Sequence, residues 1–180
     1  SDGVTESARL DGFTLTAGNA VGAAPHHSGG GIFNTAGHPT LINLIIRGNA
    51  AQTAGGGMSN SSGCNPSLTN VVFANNTADY GGGMNNNAAP VFTNVTFYGN
   101  QASVEGGGLR NWNSHPTLVN CILWGNSAPD GPQIFDGGST SAPIVTYSDV
   151  QGGYLGAGNI DADPLFIDPA NGNWRLGYLP

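Results

Sequence analysis

The hexapeptide GGGMNN at residues 81–86 decides the fold, because the chain repeats it. Earlier copies are GGGIFN at 29–34 and GGGMSN at 55–60, and later copies are GGGLRN at 106–111 and the degenerate GPQIFD at 131–136. The apolar residue of the motif recurs at positions 32, 58, 84, 109 and 134, in steps of 26, 26, 25 and 25 residues. A fixed period of this length indicates a repeat protein in which each copy is one structural unit.

A second motif interleaves with the first and begins near a proline. Its copies align without gaps: HPTLINLIIRGNAA (38–51), NPSLTNVVFANNTA (65–78), APVFTNVTFYGNQA (89–102) and HPTLVNCILWGNSA (115–128). LDGFTLTAGNA (10–20) is an earlier copy with one extra residue, and a degenerate copy begins at Pro143. The glycine triplets exclude helices, and the short alternating apolar runs favour strands joined by tight turns.

This pattern predicts an all-β fold, a parallel β-helix in which each repeat of about 25 residues forms one coil of a solenoid. Successive coils would lie about 4.8 Å apart, so about six coils form a rod of roughly 30 Å. We expect one domain over 1–180, with a tail at 161–180 after the coils. The predicted coils are 8–34, 38–60, 64–86, 89–111, 115–136 and 141–160.

Equivalent residues of the repeats should stack into ladders. Four inward apolar ladders are predicted: Leu41, Leu68, Phe92 and Leu118; Leu44, Val71, Val95 and Cys121; Ile46, Phe73, Phe97 and Leu123; and Ile32, Met58, Met84, Leu109 and Ile134. A small inner corner is expected from Ala51, Ala78, Ala102 and Ala128.

Asparagine recurs at three positions of each coil, where we expect turns. The sets are Asn43, Asn70, Asn94 and Asn120; Asn49, Asn76, Asn100 and Asn126; and Asn34, Asn60, Asn86 and Asn111. Stacked amides can hydrogen-bond from coil to coil, and asparagine tolerates the left-handed backbone of sharp corners. We therefore interpret these residues as scaffold and not as a binding site.

The charge balance excludes some partners. The chain has eleven acids, four arginines and no lysine, which gives a formal net charge of −7. Nucleic acids and anionic membrane surfaces are bound through clustered cations, so neither is an expected partner. No stretch of these residues is apolar enough to insert into a membrane, and we expect no signal peptide among them. Because the chain starts at Ser1 without Met, we expect a mature or excised segment.

The pairing of the glycine motif with F-x-x-N, as in FANN (73–76) and FYGN (97–100), resembles the repeats of chlamydial polymorphic outer-membrane proteins. It is still more similar to bacterial secreted right-handed parallel β-helix repeat proteins, in which a tail like DADPLFIDPANGNWRL (161–176) often follows the last coil. The resemblance covers nearly the whole chain. It implies a right-handed, single-stranded β-helix and a secreted or cell-surface location, and little about activity.

In such proteins the tail usually continues into further sequence. At the front of this chain, LDGFTLT enters the repeat without an obvious cap. Because terminal coils expose sheet edges that need covering, we expect a fragment of a longer protein, or ends covered by a partner. End-to-end association through uncapped coils is one alternative.

Catalysis is possible on this fold but weakly indicated. A polysaccharide lyase would need a Ca²⁺ site and a basic residue, and a glycoside hydrolase would need two carboxylates about 5–10 Å apart. Asp79 and Glu105 fall at related positions of successive coils and are the candidate catalytic pair. Solvated turn acids are the simpler interpretation of both, so whether the chain is an enzyme stays open.

Acids concentrate in the tail, where Asp161, Asp163 and Asp168 could offer oxygen ligands to Ca²⁺. Aspartate before proline is also a common way to start a turn, and both interpretations stay open. No other cofactor is expected.

The best binding hint is an apolar outward face on the proline-led strands. Tyr98 and Trp124 should stand on adjacent coils about 4.8 Å apart, with Arg47 on the same face, and could stack on sugar rings or on another protein. The alternative is that a loop or a neighbouring domain covers this face. Trp112, in RNWNS, is a second candidate contact. We therefore expect a non-catalytic adhesin-like, stalk-like or glycan-binding scaffold whose partner is a polysaccharide or a cell surface.

Overall fold

The computed structural model describes residues 8–24 and 26–177, which form a parallel β-solenoid. The strands are, in chain order, β1 Arg9–Asp11, β2 Thr14–Thr16, β3 Asn19–Ala20, β4 Ile32–Asn34, β5 Thr40–Ile42, β6 Ile45–Arg47, β7 Ala50–Ala51, β8 Met58–Asn60, β9 Ser67–Thr69, β10 Val72–Ala74, β11 Thr77–Tyr80, β12 Met84–Asn86, β13 Val91–Thr93, β14 Thr96–Tyr98, β15 Gln101–Glu105, β16 Leu109–Trp112, β17 Thr117–Val119, β18 Ile122–Trp124, β19 Ile134–Gly137, β20 Ile144–Thr146, β21 Asp149–Val150, β22 Phe166–Asp168 and β23 Asn173–Leu176. A 3₁₀ turn, Pro169–Asn171, separates the last two strands. No helix of the described residues could cross a membrane.

Four parallel sheets run along the rod. Sheet 1 contains β1-β5-β9-β13-β17-β20, and sheet 2 contains β2-β6-β10-β14-β18-β21. Sheet 3 contains β3-β7-β11-β15, and sheet 4 contains β4-β8-β12-β16-β19. The chain makes about five turns of about 26 residues, which confirms the predicted all-β parallel solenoid. The strands β22 and β23 form a separate antiparallel hairpin.

The core is the column of apolar ladders inside the coils. The predicted inward residues are buried, except that Ile32 and Ile134, on the outermost strands of sheet 4, are only partly buried. Phe73 and Phe97 stack face to face with ring centroids 4.8 Å apart, one coil spacing. The predicted alanine corner is buried at three coils and opens at Ala128, which is partly exposed.

Two of the three asparagine ladders lie inside the protein. In the first, the Asn49 amide donates to Asn76 Oδ1 at 3.1 Å, Asn76 donates to Asn100 at 2.9 Å, and Asn100 donates to Asn126 at 2.9 Å. Each acceptor oxygen also takes a backbone N–H, as Asn76 Oδ1 takes that of Asn49 at 3.0 Å. The side-chain oxygens of this ladder thus accept the backbone N–H groups that the turn leaves without a backbone acceptor.

The second buried ladder runs from Asn34 through Asn60 and Asn86 to Asn111, with amide bonds of 2.8, 3.0 and 3.2 Å. It ends on Asp136, whose Oδ1 accepts from Asn111 at 2.8 Å. A carboxylate suits this end, since the last amide of the ladder needs an acceptor and not another donor.

The third ladder is exposed and lies at the corner between sheets 1 and 2. Asn43, Asn70, Asn94 and Asn120 have left-handed backbone, with φ between 53° and 55°. Asn94 donates to Asn70 at 3.2 Å, Asn70 to Asn43 at 3.1 Å, and Asn43 to Asp11 at 2.9 Å. The predicted turn role of these asparagines is confirmed.

The glycine triplets form the bend between sheets 3 and 4. The first glycine has left-handed backbone, as at Gly81 with φ of 64°. The next two face the backbone of an adjacent coil: a Cβ added to Gly82 would lie 2.3 Å from the Gln101 carbonyl oxygen. No other residue fits there, since real Cβ atoms do not approach backbone oxygen so closely.

The tail folds back along the outside of sheet 2. We call residues 161–177 the tail hairpin. Its Phe166 ring meets Tyr98 edge to face at 5.4 Å, and its Gly172 lies against the Arg47 guanidinium two coils further back. The tail hairpin therefore reaches from the last coil to the second.

The Asn76→Ala substitution should lower the free energy of unfolding by about 3 kcal/mol or more, because it removes a ladder amide and strands the Asn49 backbone N–H. Urea unfolding followed by circular dichroism measures this. The neighbouring exposed Thr77→Ala is the control and should stay within about 0.5 kcal/mol of the parent. Similar losses for the two variants would contradict a special role for the ladder.

Gly82→Ala should cost at least about 2 kcal/mol, because the added methyl collides with the backbone of the next coil. Gly63→Ala is the matched control: its φ is +79° but no atom lies within 4 Å of the added Cβ. Only backbone strain of about 1 kcal/mol is expected there. The same denaturation assay compares them, and an equal cost would show that the close approach is unimportant.

Candidate functional site

A groove runs along the outer surface of sheet 3, with a volume of about 530 Å³. Polar side chains from successive coils line it: Gln52, Thr77, Asp79, Gln101 and Ser103. They line one groove because they lie on β11 and β15, or directly after β7, at equivalent places in neighbouring coils. Ser103 donates a hydrogen bond to Asp79 Oδ1. The groove therefore offers amide, hydroxyl and carboxylate groups in a row along the solenoid axis.

Arg110 lies beside this groove, past the glycine bend, on the outer face of sheet 4. Its guanidinium carbon is 4.9 Å from the centroid of the Tyr80 ring, 4.5 Å from that of Trp112 and 5.9 Å from that of Phe135. Its Nε donates to Glu105 at 2.9 Å, and its Nη1 donates to Asn85 Oδ1 at 3.0 Å. We call these residues the Arg110 cluster: Tyr80, Asn85, Glu105, Arg110, Trp112 and Phe135.

Trp112 is the part of the Arg110 cluster that is most open to solvent, at 39% exposed. Its ring borders a small cleft of about 180 Å³ that Ser62, Asn87 and Asn113 complete. Asn87 Oδ1 is buried and has no hydrogen-bond partner in the described residues. An exposed indole beside an unpaired acceptor is suited to a ring that carries hydroxyl groups, because one face stacks while a hydroxyl donates.

The groove and the Arg110 cluster together carry net negative charge. Arg110 is their one cation, and Glu105 already pairs with it. Asp79 lies in the groove, and Asp130 pairs in register with Glu105 on the next coil. This surface therefore disfavours an anionic ligand and is compatible with a neutral one.

The predicted catalytic residues lie here but have different partners. The strands β11 and β15 shift register after Ala78, so that Tyr80, and not Asp79, pairs with Glu105. Asp79 accepts from Ser103, while Glu105 forms an ion pair with Arg110. Their use as an acid and base pair stays a prediction.

The predicted aromatic platform lies on sheet 2, on the side of the rod that the tail hairpin covers. Tyr98 pairs in register with Trp124, as expected, and both are partly buried. Phe166 packs on Tyr98, and the neighbouring Ala74 is completely buried although it points outward. The chain's own tail therefore packs on the Tyr98 part of this face, and ligand binding by Tyr98, Trp124 and Arg47 stays a prediction.

The tail acids have local roles in the turns. Asp163 accepts the backbone N–H of Leu165 at 2.9 Å, and Asp168 accepts from Asn171 at the start of the 3₁₀ turn. Asp161 lies near Asp149, whose ionisation it opposes. Across 8–24 and 26–177 no three acids, histidines or cysteines are grouped closely enough to hold a metal ion. Calcium binding by Asp161, Asp163 and Asp168 stays a prediction.

The two cysteines are free and buried. Burial raises the pKa of the Cys121 thiol to about 11, so that it stays protonated near neutral pH. A protonated, buried thiol is a poor nucleophile, and Cys121 serves the core instead.

The two ends of the rod differ. At the far end, residues 151–160 fold over the last coil: Tyr154 packs on the core and donates to Asp136, and Asn159 donates to the Val145 carbonyl at 3.0 Å. At the near end, an apolar cleft of about 240 Å³ opens beside Leu10 and Leu41. End-to-end association stays a prediction.

Sequence analysis identified Trp112 and Glu105 as candidates but missed the other four members of the Arg110 cluster: Tyr80, Asn85, Arg110 and Phe135. Arg110 looks isolated in the sequence, and its partners Tyr80, Asn85 and Phe135 lie 25 to 30 residues away from it. The repeat itself carried the signal: Asn85, Arg110 and Phe135 all follow the apolar residue of the glycine motif. Searching that ladder for mixed cations and aromatic rings would have found the cluster.

Comparison with protein-family models, curated proteins and solved structures found no match to this chain.

Asp149 is nearly buried beside the tail, and burial, followed by the charges of Asp161 and Asp163, raises its pKa above the usual 3.8. A raised carboxyl pKa means that the folded state binds a proton more readily than the unfolded state, so ionisation costs stability at neutral pH. Asp149→Asn keeps the acceptor for the Ala162 N–H and should be more stable than the parent at pH 7.

The advantage of Asp149→Asn should shrink as pH falls through the raised pKa and vanish below 3.8, where Asp149 is neutral in both states. Thermal unfolding of both proteins at several pH values measures the difference. A variant that is less stable at pH 7, or a difference that does not change with pH, would contradict the assignment.

Proposed function

We propose that this protein is a non-catalytic β-solenoid scaffold that binds neutral polysaccharide along the groove of sheet 3 and the adjoining Arg110 cluster. The observation that carries the proposal is the continuity of these two features: a row of polar side chains leads directly to a ring-stacked guanidinium and an exposed indole.

The polar row supports a polymer and not a compact ligand. Gln52, Asp79, Gln101 and Ser103 come from three successive coils, so they repeat at about the coil spacing of 4.8 Å. Such groups hydrogen-bond to sugar hydroxyls, and a chain of sugars that lies along the axis would meet a new set at each coil.

The Arg110 cluster supplies a rigid end to this groove. Arg110 is held by an ion pair, an amide acceptor and aromatic rings, so its position does not depend on a ligand. The ring of Trp112 is thereby fixed at the surface with little freedom left to lose on binding. Preorganised aromatic side chains of this kind commonly contribute much of the affinity at an interface.

The charge of the surface supports a neutral glycan. Asp79, Glu105 and Asp130 outnumber the single cation Arg110, so a uronate or sulfated sugar would be repelled. A scaffold of this kind fits an adhesin-like or stalk-like segment, and the resemblance to secreted repeat proteins supports a place outside the cell. A lyase or hydrolase is less favoured, because Glu105 is engaged by Arg110.

The full chain should bind neutral oligosaccharides on a glycan array, and Trp112→Ala should weaken the tightest of these interactions by about tenfold in titration calorimetry. Gln101→Ala should weaken it as well, because its amide lines the groove. Phe13→Ala is the control: Phe13 is also an exposed aromatic residue, at 56%, but lies on the connection between sheets 1 and 2.

Three results would count against the proposal: no binding to any neutral glycan, unchanged affinity in both groove variants, or turnover of a bound glycan. Turnover that is lost in Asp79→Asn or Glu105→Gln would favour the hydrolase alternative instead.

A further inference from the structure

A second cleft lies on another side of the rod, between the tail hairpin and the solenoid. Its volume is about 670 Å³. The solenoid side presents Asn43 and Asn70 of the exposed asparagine ladder, and the tail side presents Gly172, Trp174 and Arg175. We call this space the tail cleft. Its size is typical of a small-molecule site.

The tail cleft has more hydrogen-bond donors than acceptors. The Asn43 and Asn70 amides each donate one bond along the ladder and keep a second N–H, while the Asn43 oxygen already accepts from Asn70. The indole Nε1 of Trp174 is buried and has no acceptor among the described residues. A ligand that brings acceptor oxygens would satisfy these groups.

The tail cleft also concentrates positive charge. Arg175 lines it, and the Arg47 guanidinium lies against Gly172 at its border: a Cβ added to Gly172 would be 3.0 Å from Arg47 Nη1. Of the chain's four arginines, Arg9 and Arg110 have carboxylate partners, whereas Arg47 and Arg175 make no ion pair within the described residues.

Two acids lie near the tail cleft: Asp11 on the solenoid side, and Asp168 on the tail hairpin, which pairs in register with Asn173 and accepts from Asn171. Asp11, which accepts from Asn43, forms an ion pair with Arg9, so the pair is neutral overall. Arg47 and Arg175 outnumber the one remaining acid, Asp168, so in a chain of net charge −7 the cleft is a local positive region that attracts an anion.

We infer that the tail cleft binds an acidic saccharide, with a uronate carboxylate held by Arg175 and Arg47 and its hydroxyl oxygens accepting from the asparagine amides. Guanidinium groups bind planar carboxylates by paired hydrogen bonds, and amides bind sugar oxygens. The site is separate from the groove that we propose for neutral polysaccharide. It has the opposite charge, lies on another face, and does not depend on that proposal.

The probe is trigalacturonate, and its methyl ester is the matched control, since esterification removes the negative charge and leaves the sugar backbone. Titration calorimetry of the full chain at low salt should show binding of the acid and much weaker binding of the ester. Arg175→Gln should weaken binding of the acid by about tenfold or more, because a charge-assisted hydrogen bond is lost. Arg47→Gln should have an effect in the same direction.

Trp174→Phe tests the indole donor while keeping an aromatic ring, and it assigns the Trp174 N–H signal in a nitrogen-correlated NMR spectrum. Trigalacturonate should shift that signal in the parent protein. Because this variant also changes how the tail packs, Arg175→Gln, which alters an exposed side chain, is the decisive substitution.

Equal affinity for the acid and the ester, an unshifted Trp174 signal at saturation, or unchanged binding in Arg175→Gln would each overturn the inference. Its failure is distinguishable from that of the proposed function, because neutral-glycan binding is measured through Trp112 and acid binding through Arg175.

Discussion

The structure depends on one contact, the approach of each coil's backbone to the next at the glycine bend. The second and third glycines of each triplet lie against main-chain carbonyls, with no space for a methyl group. This bend allows sheets 3 and 4 to meet tightly enough for the inner ladders to close into a buried apolar core. The asparagine ladders then satisfy the turns that such a narrow coil needs. Substitution of these glycines and asparagines should therefore cost more stability than a volume-conserving substitution of an aliphatic core residue.

Most of the scaffold could be predicted from the sequence, because in a solenoid residues one repeat apart lie next to each other on adjacent coils. Positions one period apart must stack, so Phe73 could be placed on Phe97, and Asn76 on Asn100, without coordinates. The same logic failed where residues at different positions of the repeat meet. Tyr80 and Arg110 approach each other across the glycine bend, and the register shift that leaves Asp79 out of step with Glu105 is a local bulge.

The tail could not be predicted for a related reason. Residues 161–177 do not repeat, so their periodicity says nothing about where they pack. From the sequence, the apolar outward face of sheet 2 could be either a binding surface or a covered one, and Phe166 of the tail packs on it at Tyr98. The two surface features that result differ in charge because the arginines are distributed unevenly. Arg110 is paired with Glu105, whereas Arg47 and Arg175 make no ion pair within the described residues.

The return of the tail makes the molecule sensitive to its own length. Solenoids commonly gain or lose whole repeats, because each coil contacts only its neighbours and the cut ends can rejoin. Here the segment after the last coil must reach Tyr98 on one coil and Arg47 two coils earlier. Removal of one internal repeat would leave the ladders continuous, but it would displace the contacts of the tail with sheet 2 by one coil. The contacts of the tail on sheet 2 therefore fit only one number of coils. A solenoid without such a returning tail would not have this constraint.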